Sequence, residues 1–121
     1  MSDVDWRLLP ALLASAVMTA FGVGALVKPT ALEPLGVRAV SPLGSSEIRA
    51  VFGGMFIALG VSAVVLREPI VFLVLGIAWF GDVLARLAAV ALDRVPAREA
   101  VPVLGIALAI GSALVSGYWL A

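Results

Sequence analysis

The chain has no cysteine and no histidine. Disulfides, thiol redox chemistry, zinc sites and haem ligation by either residue are thereby excluded. The usual proton shuttle near neutral pH is missing too, so acid–base work falls to carboxylates, Lys28, Tyr118 or water. Charge is scarce: eight basic and eight acidic residues among 121 cancel to zero. That leaves no basic surface for nucleic acid and no polybasic tether to lipid headgroups. Low-complexity tracts, charge runs and internal repeats are absent, which argues against a transporter half built by inverted repetition.

What is present is apolar. Hydrophobic residues make up 63% of the chain and the mean hydropathy is +1.17, which leaves too little polar surface to coat a water-soluble exterior. Four stretches, residues 8–27, 48–66, 69–92 and 101–121, carry few charges. At about 1.5 Å per helical residue, each is long enough to cross a hydrocarbon core of about 30 Å. The expectation is one all-α transmembrane domain over residues 1–121, an up-down-up-down four-helix bundle whose solvent is lipid. The residues before Trp6 include Asp3 and Asp5 and are acidic where a secretory signal would be basic. Ala14-Ser15-Ala16 resembles a cleavage tripeptide but lies too close to the start of the apolar run, so the first stretch is read as a retained span.

The connections differ in length. Pro29 ends the first span, and residues 28–46 form the longest link, with three of the seven prolines. Thr30 and Glu33 have capping-box spacing, which predicts a short helical turn, and Gly44-Ser45-Ser46 supplies an N-cap for the second helix, with Glu47 in its first turn. Arg67-Glu68-Pro69 forces a tight antiparallel hairpin, and Pro102 marks the first turn of the fourth helix. Small residues every fourth position let transmembrane helices approach closely. Ala50, Gly54, Ala58 and Ser62 form one such stripe, expected to face another helix of the chain; Ala16, Ala20 and Gly24 form a second. Gly105, Ala109, Ala113 and Gly117 form a third, assigned to contact between protomers of a homo-oligomer.

Arg7 and Arg67 lie on the face holding both termini, against Lys28, Arg38, Arg94 and Arg98 on the other. The positive-inside rule then puts both termini outside the cytoplasmic (inner) membrane. Trp6, Tyr118 and Trp119 fall where an aromatic belt would sit, whereas Trp79 lies mid-span and calls for a packing or ligand contact.

Ionisable groups cluster toward one end of the second and third spans. Arg49 and Arg86 each lie 18 residues from the hairpin tip, roughly 27 Å along their helices. Asp82 lies deeper, four residues from Arg86 on one helix face. Crossed pairing of Glu47 with Arg86 and of Arg49 with Asp82 would neutralise all four, since unpaired charge in hydrocarbon is costly. The structural alternative is an ion-pair clasp with arginines reaching the interface. Gly53 and Gly54 remove side-chain bulk nearby, and Phe21, Phe52, Phe56, Trp79 and Phe80 are available as apolar walls of a pocket.

The run Ser45-Ser46-Glu47-Ile48-Arg49-Ala50-Val51-Phe52-Gly53-Gly54, with Gly60 after it and the Phe21-Gly22, Pro29 and Leu35-Gly36 spacing before it, resembles the signature of a family of small bacterial four-helix membrane proteins of unknown function. The resemblance covers the first two helices; in the third, Gly81-Asp82 stands where the family carries a Gly-Arg pair. It implies the fold, flags Glu47, Arg49, Gly53 and Gly54, and implies no activity.

Two functions fit these residues. One is a non-enzymatic membrane protein binding a lipophilic or anionic-headed small molecule between helices, with Arg49, Arg86, Gly53, Gly54, Phe52, Phe56 and Trp79 at the site. The other is a cofactor-independent membrane enzyme (a cyclase, isomerase or epoxide-opening catalyst) with Glu47 or Asp82 as general acid and an arginine stabilising negative charge. No metal ligand set and no cofactor is expected. An accessory or assembly subunit rests on the fourth-helix stripe and the minimal loops, and a small dimeric carrier would want a carboxylate in the first span, which has none.

Overall fold

The computed structural model describes residues 3–120; Ala121, the end of the expected fourth span, lies outside them. The structure is all-α, 88% helical. The helices are α1 (Asp3–Val27), a 3-10 helix (Pro29–Leu35), α2 (Pro42–Glu47), a π-helical stretch (Ile48–Met55), α3 (Phe56–Leu66), α4 (Pro69–Leu92) and α5 (Ala97–Trp119). Four spans, Trp6–Val27, Pro42–Leu66, Pro69–Leu92 and Ala97–Trp119, are long and apolar enough to cross a membrane. The chain is a multi-pass membrane protein.

The second span starts six residues earlier than expected. Ser41, in extended conformation, accepts from the Gly44 N–H at 3.1 Å, and Pro42 occupies the first helical position. Ser41 is therefore the N-cap, and the Gly44-Ser45-Ser46 triplet lies inside the helix. A proline whose φ is already helical and whose missing N–H costs nothing there explains the early start. Replacing Ser41 by alanine should cost about 1 kcal/mol, read as a lower melting temperature with faster amide exchange at Gly44. An unchanged exchange rate at Gly44 would show that the cap contributes nothing. The fourth span likewise starts early, at Ala97, because Glu99 and Ala100 N–H both donate to the Pro96 carbonyl at 3.0 Å. Pro102 is then inside α5 and does not mark its first turn.

The chain divides into two compact units. One joins the start of α1, up to Ala14, to α4 and α5. Here α4 and α5 run antiparallel: Phe72 lies by Gly117, Gly76 by Val115, and Trp79 and Phe80 by Gly111. The missing side chain at Gly111 is what lets the Phe80 ring and the Trp79 Cβ approach α5. Ala11 also touches Gly117, which puts Trp6 and the Tyr118–Trp119 ring pair at one end of the unit, as an aromatic belt requires. Along the fourth-helix stripe Gly117 is buried within the chain, while Gly105 and Ala109 are exposed; the buried residues of α5 are Ala107, Gly111, Leu114 and Gly117.

The other unit is Ser15–Leu66. The later part of α1 runs antiparallel to the second span: Gly60 meets Ser15 and Thr19, Gly22 meets Ile57 and Gly53, and Gly53 meets the Leu26 backbone. The expected small-residue stripes are on the wrong faces. Ala50, Gly54, Ala58, Ser62, Ala16, Ala20 and Gly24 are all exposed. On the second span one reason is the π-helical stretch, in which hydrogen bonds close five residues on instead of four. Ile48 and Gly53, five apart, are both buried; on an α-helix they would point about 140° apart. A four-residue count through this stretch therefore departs from the buried face.

The long link is folded, not slack. Leu32 of the 3-10 helix is 2% exposed and forms a small core with Ala25 and Ile48, flanked by Phe21, Val37, Ala39 and Phe52. Gly36 ends the 3-10 helix at φ +85°, a left-handed conformation suited to glycine. No side chain caps the start of this helix, so Thr30 and Glu33 do not form a capping box.

Candidate functional site

Arg49 lies on the first turn of the π-helical stretch, seven residues into its span. Its Nη1 donates to the Leu26 carbonyl at 2.6 Å. Leu26 is in the last turn of α1, where carbonyls lack intrahelical partners and the helix dipole favours a cation. Arg49 thus caps one helix from another. That uses one of five guanidinium donors. Among the described residues Arg49 belongs to no ion pair, and its side chain is on the exposed side of the span. Glu47 is exposed and likewise in no ion pair among the described residues. With the helix starting at Pro42, Glu47 is a full turn inside the span and not a first-turn charge.

Phe21, Phe56 and Phe52 form a chain of rings beside these residues, with centroids 5.6 and 6.1 Å apart. Phe52 and Phe56 are half-buried. Gly53 is buried and required by the close approach of α1. Gly54 is exposed, and a Cβ there would meet only the Arg49 carbonyl at 3.8 Å.

On α4, Arg86 Nε donates to Asp82 Oδ2 at 2.7 Å, with 45% and 34% of the two side chains exposed. This is a one-turn pair along a single helix. Asp82 and Arg86 continue the row Phe72, Leu75 and Trp79 at alternating three- and four-residue steps. The α4 face that is buried at its start therefore ends in a half-exposed ion pair. Both arginines have local partners, Asp82 for Arg86 and a backbone carbonyl for Arg49, in place of the crossed pairing expected from the sequence.

One cleft is not apparent from the sequence. Thr30, Glu33 and Ser45, with Pro29, Ala39 and Ile48, line a space of about 120 Å³ between the 3-10 helix and the start of the second span. Arg38 stands 3.9 Å from Glu33 at its edge. Locally these residues carry only capping-box and N-cap spacing; the fold-back of the link is what brings the three polar residues to one cleft. Among the described residues no group of His, Cys, Asp and Glu could hold a metal ion.

Fold and site define a class: a small all-α membrane protein with ionisable side chains inside its spans. No protein-family model matches the chain, and no curated protein or solved structure is significantly similar to it.

Proposed function

We propose that this is a small membrane protein that binds an anionic-headed lipophilic molecule, with Arg49 contacting the head. The observation that carries the reading is a guanidinium inside a membrane span with a carbonyl partner and, among the described residues, no carboxylate partner. Intramembrane cations pair with anions or mark ligand paths, and arginine's planar donor set suits carboxylate and phosphate heads. The phenylalanines beside it offer apolar contact. The same reading takes in the resemblance of the Glu47–Gly54 run to the small four-helix family and an inner-membrane location with both termini outside.

The test is retention. Native mass spectrometry after extraction from nanodiscs should show the wild-type chain carrying an anionic amphiphile. Arg49→Ala should lose it, a drop of at least tenfold, about 1.4 kcal/mol, while still yielding folded, helical protein. Equal retention by the variant would end the proposal.

One observation favours the enzymatic alternative. Asp82 is engaged as an acceptor by Arg86, but the Glu47 carboxylate is exposed and in no ion pair among the described residues, as a general acid could be. Conversion of a bound amphiphile by the wild type and not by Glu47→Gln would decide for that reading.

A further inference from the structure

The role given to Arg49 leaves unused the cleft between the 3-10 helix and the start of the second span. With three residues per turn, a 3-10 helix stacks positions three apart, so Thr30 and Glu33 share one edge. Ser45 and Ile48, also three apart, share an edge of the second span. Burial of Leu32 with Ala25 and Ile48 holds the two edges together. Pro29 and Ala39 complete the lining of a space of about 120 Å³. Because α1 stops at Val27 and the second span opens at Pro42, the cleft lies at the ends of two spans, where lipid headgroups begin.

This lining offers acceptors. The Glu33 carboxylate is half exposed, and its ion pair is a long one, 3.9 Å to an Arg38 side chain that is itself 82% exposed. Among the described residues no hydrogen bond engages the Thr30 or Ser45 hydroxyl. Nearby backbone donors are already used: the Gly44 N–H by the Ser41 hydroxyl, the Ser45 N–H by the Ser41 carbonyl and the Ala31 N–H by the Lys28 carbonyl. An anion would find no cationic side chain in the lining and one carboxylate to repel it.

We propose that the cleft binds a primary ammonium group, its three N–H donors matched to the Glu33 carboxylate and the Thr30 and Ser45 hydroxyls. A quaternary ammonium has no N–H to donate and is held by aromatic cages, whereas no aromatic ring lines this space. The volume is below the roughly 150 Å³ of a cavity that takes benzene. It admits the ammonium and the carbons next to it, and the rest of the molecule stays outside. Two sources present this group at a membrane surface: the ethanolamine head of a bilayer phospholipid and a free alkylamine from the water. Arg49 is not among the lining residues, so this site goes beyond the binding function proposed above and stands or falls without it.

The test uses the full chain in nanodiscs of equimolar dioleoylphosphatidylethanolamine and dioleoylphosphatidylcholine, with retained lipid weighed by native mass spectrometry. These lipids differ only in the methyl groups on nitrogen, so tails and phosphate cancel. The ethanolamine lipid should be retained over the choline lipid by about tenfold, the gain from a charge-assisted hydrogen bond. Glu33→Gln should abolish the preference without lowering the melting temperature, and Ser45→Ala should reduce it about threefold. Arg38→Ala removes a competing cation and should raise it about twofold, the opposite of what losing a structural contact would do. Arg49→Ala should leave the ratio unchanged, because both lipids carry the phosphate. A second arm adds free ethanolamine to nanodiscs of the choline lipid alone and reads binding by saturation-transfer NMR. Lipid preference without an ethanolamine signal assigns the cleft to headgroups; a signal that Glu33→Gln removes, without lipid preference, assigns it to free amines. Equal retention of the two lipids together with no ethanolamine signal overturns the proposal, and so does any preference or signal that Glu33→Gln leaves intact.

Discussion

Gly60→Ala should destabilise the protein by about 1–3 kcal/mol, the usual cost of forcing an extra carbon into a packed contact. A Cβ at Gly60 would stand 2.7 Å from the Ser15 carbonyl and 3.1 Å from the Thr19 N–H. Both are backbone atoms of α1, so no rotamer change relieves the clash and the helices must separate. Separation would also pull Gly53 from Leu26 and loosen the hydrogen bond from Arg49. The control is Gly24→Ala, on the same pair of helices but with nothing within 4 Å of the added carbon. There the substitution only removes backbone freedom and should be neutral or stabilising by up to about 1 kcal/mol. Thermal unfolding in one detergent reads both variants. Equal melting temperatures for the two would contradict the close approach at Gly60.

The second large effect concerns Asp82 and Arg86. Removing either partner leaves a lone charge on a membrane span, which costs about 2.5–3.5 kcal/mol near a helix centre on insertion scales. Both groups are partly exposed, so the lower end applies. Asp82→Ala and Arg86→Ala should each lower stability or insertion by about 2.5 kcal/mol. The double variant should cost clearly less than the sum, because it removes both charges together. A double-mutant cycle on unfolding in bicelles measures this. Additive costs would show that the two groups reach separately for water and that the pair holds nothing.

Much of the fold was legible because lipid imposes a simple rule: every backbone polar group must be satisfied within its own segment. Long apolar runs therefore had to be helices, and the ends at Val27, Leu66 and Leu92 fell where Pro29, Pro69 and the charged Asp93-Arg94 put them. The starts at Pro42 and Ala97 were less legible. Caps depend on local backbone geometry, and Ser41 and Pro96 stand several residues ahead of the apolar runs they open. The packing faces were least legible. Stripes of small residues were found by counting in fours, and the π-helical stretch makes that count invalid between Ile48 and Met55.

The site divides the same way. Arg49, Glu47, Asp82 and Arg86 were identifiable from chemistry alone, since each is an ionisable group within a span. Their partners were not. The carbonyl that holds Arg49 belongs to Leu26, a residue with no polar side chain to advertise it. The cleft of Thr30, Glu33 and Ser45 needed the fold-back of Leu32 onto Ala25 and Ile48, a contact among ordinary apolar residues with no distinctive pattern.

The five-residue step from Ile48 to Gly53 acts as a phase slip in the second span. Deleting one residue between them would restore ordinary winding and keep the buried faces on either side in register, because Ile48 and Gly53 would then stand four apart. With Gly53 still seated on Leu26, Ile48 would stay beside Ala25 and Leu32. The widened coil is thus the gearing that lets one span bury an isoleucine and a glycine across a five-residue step.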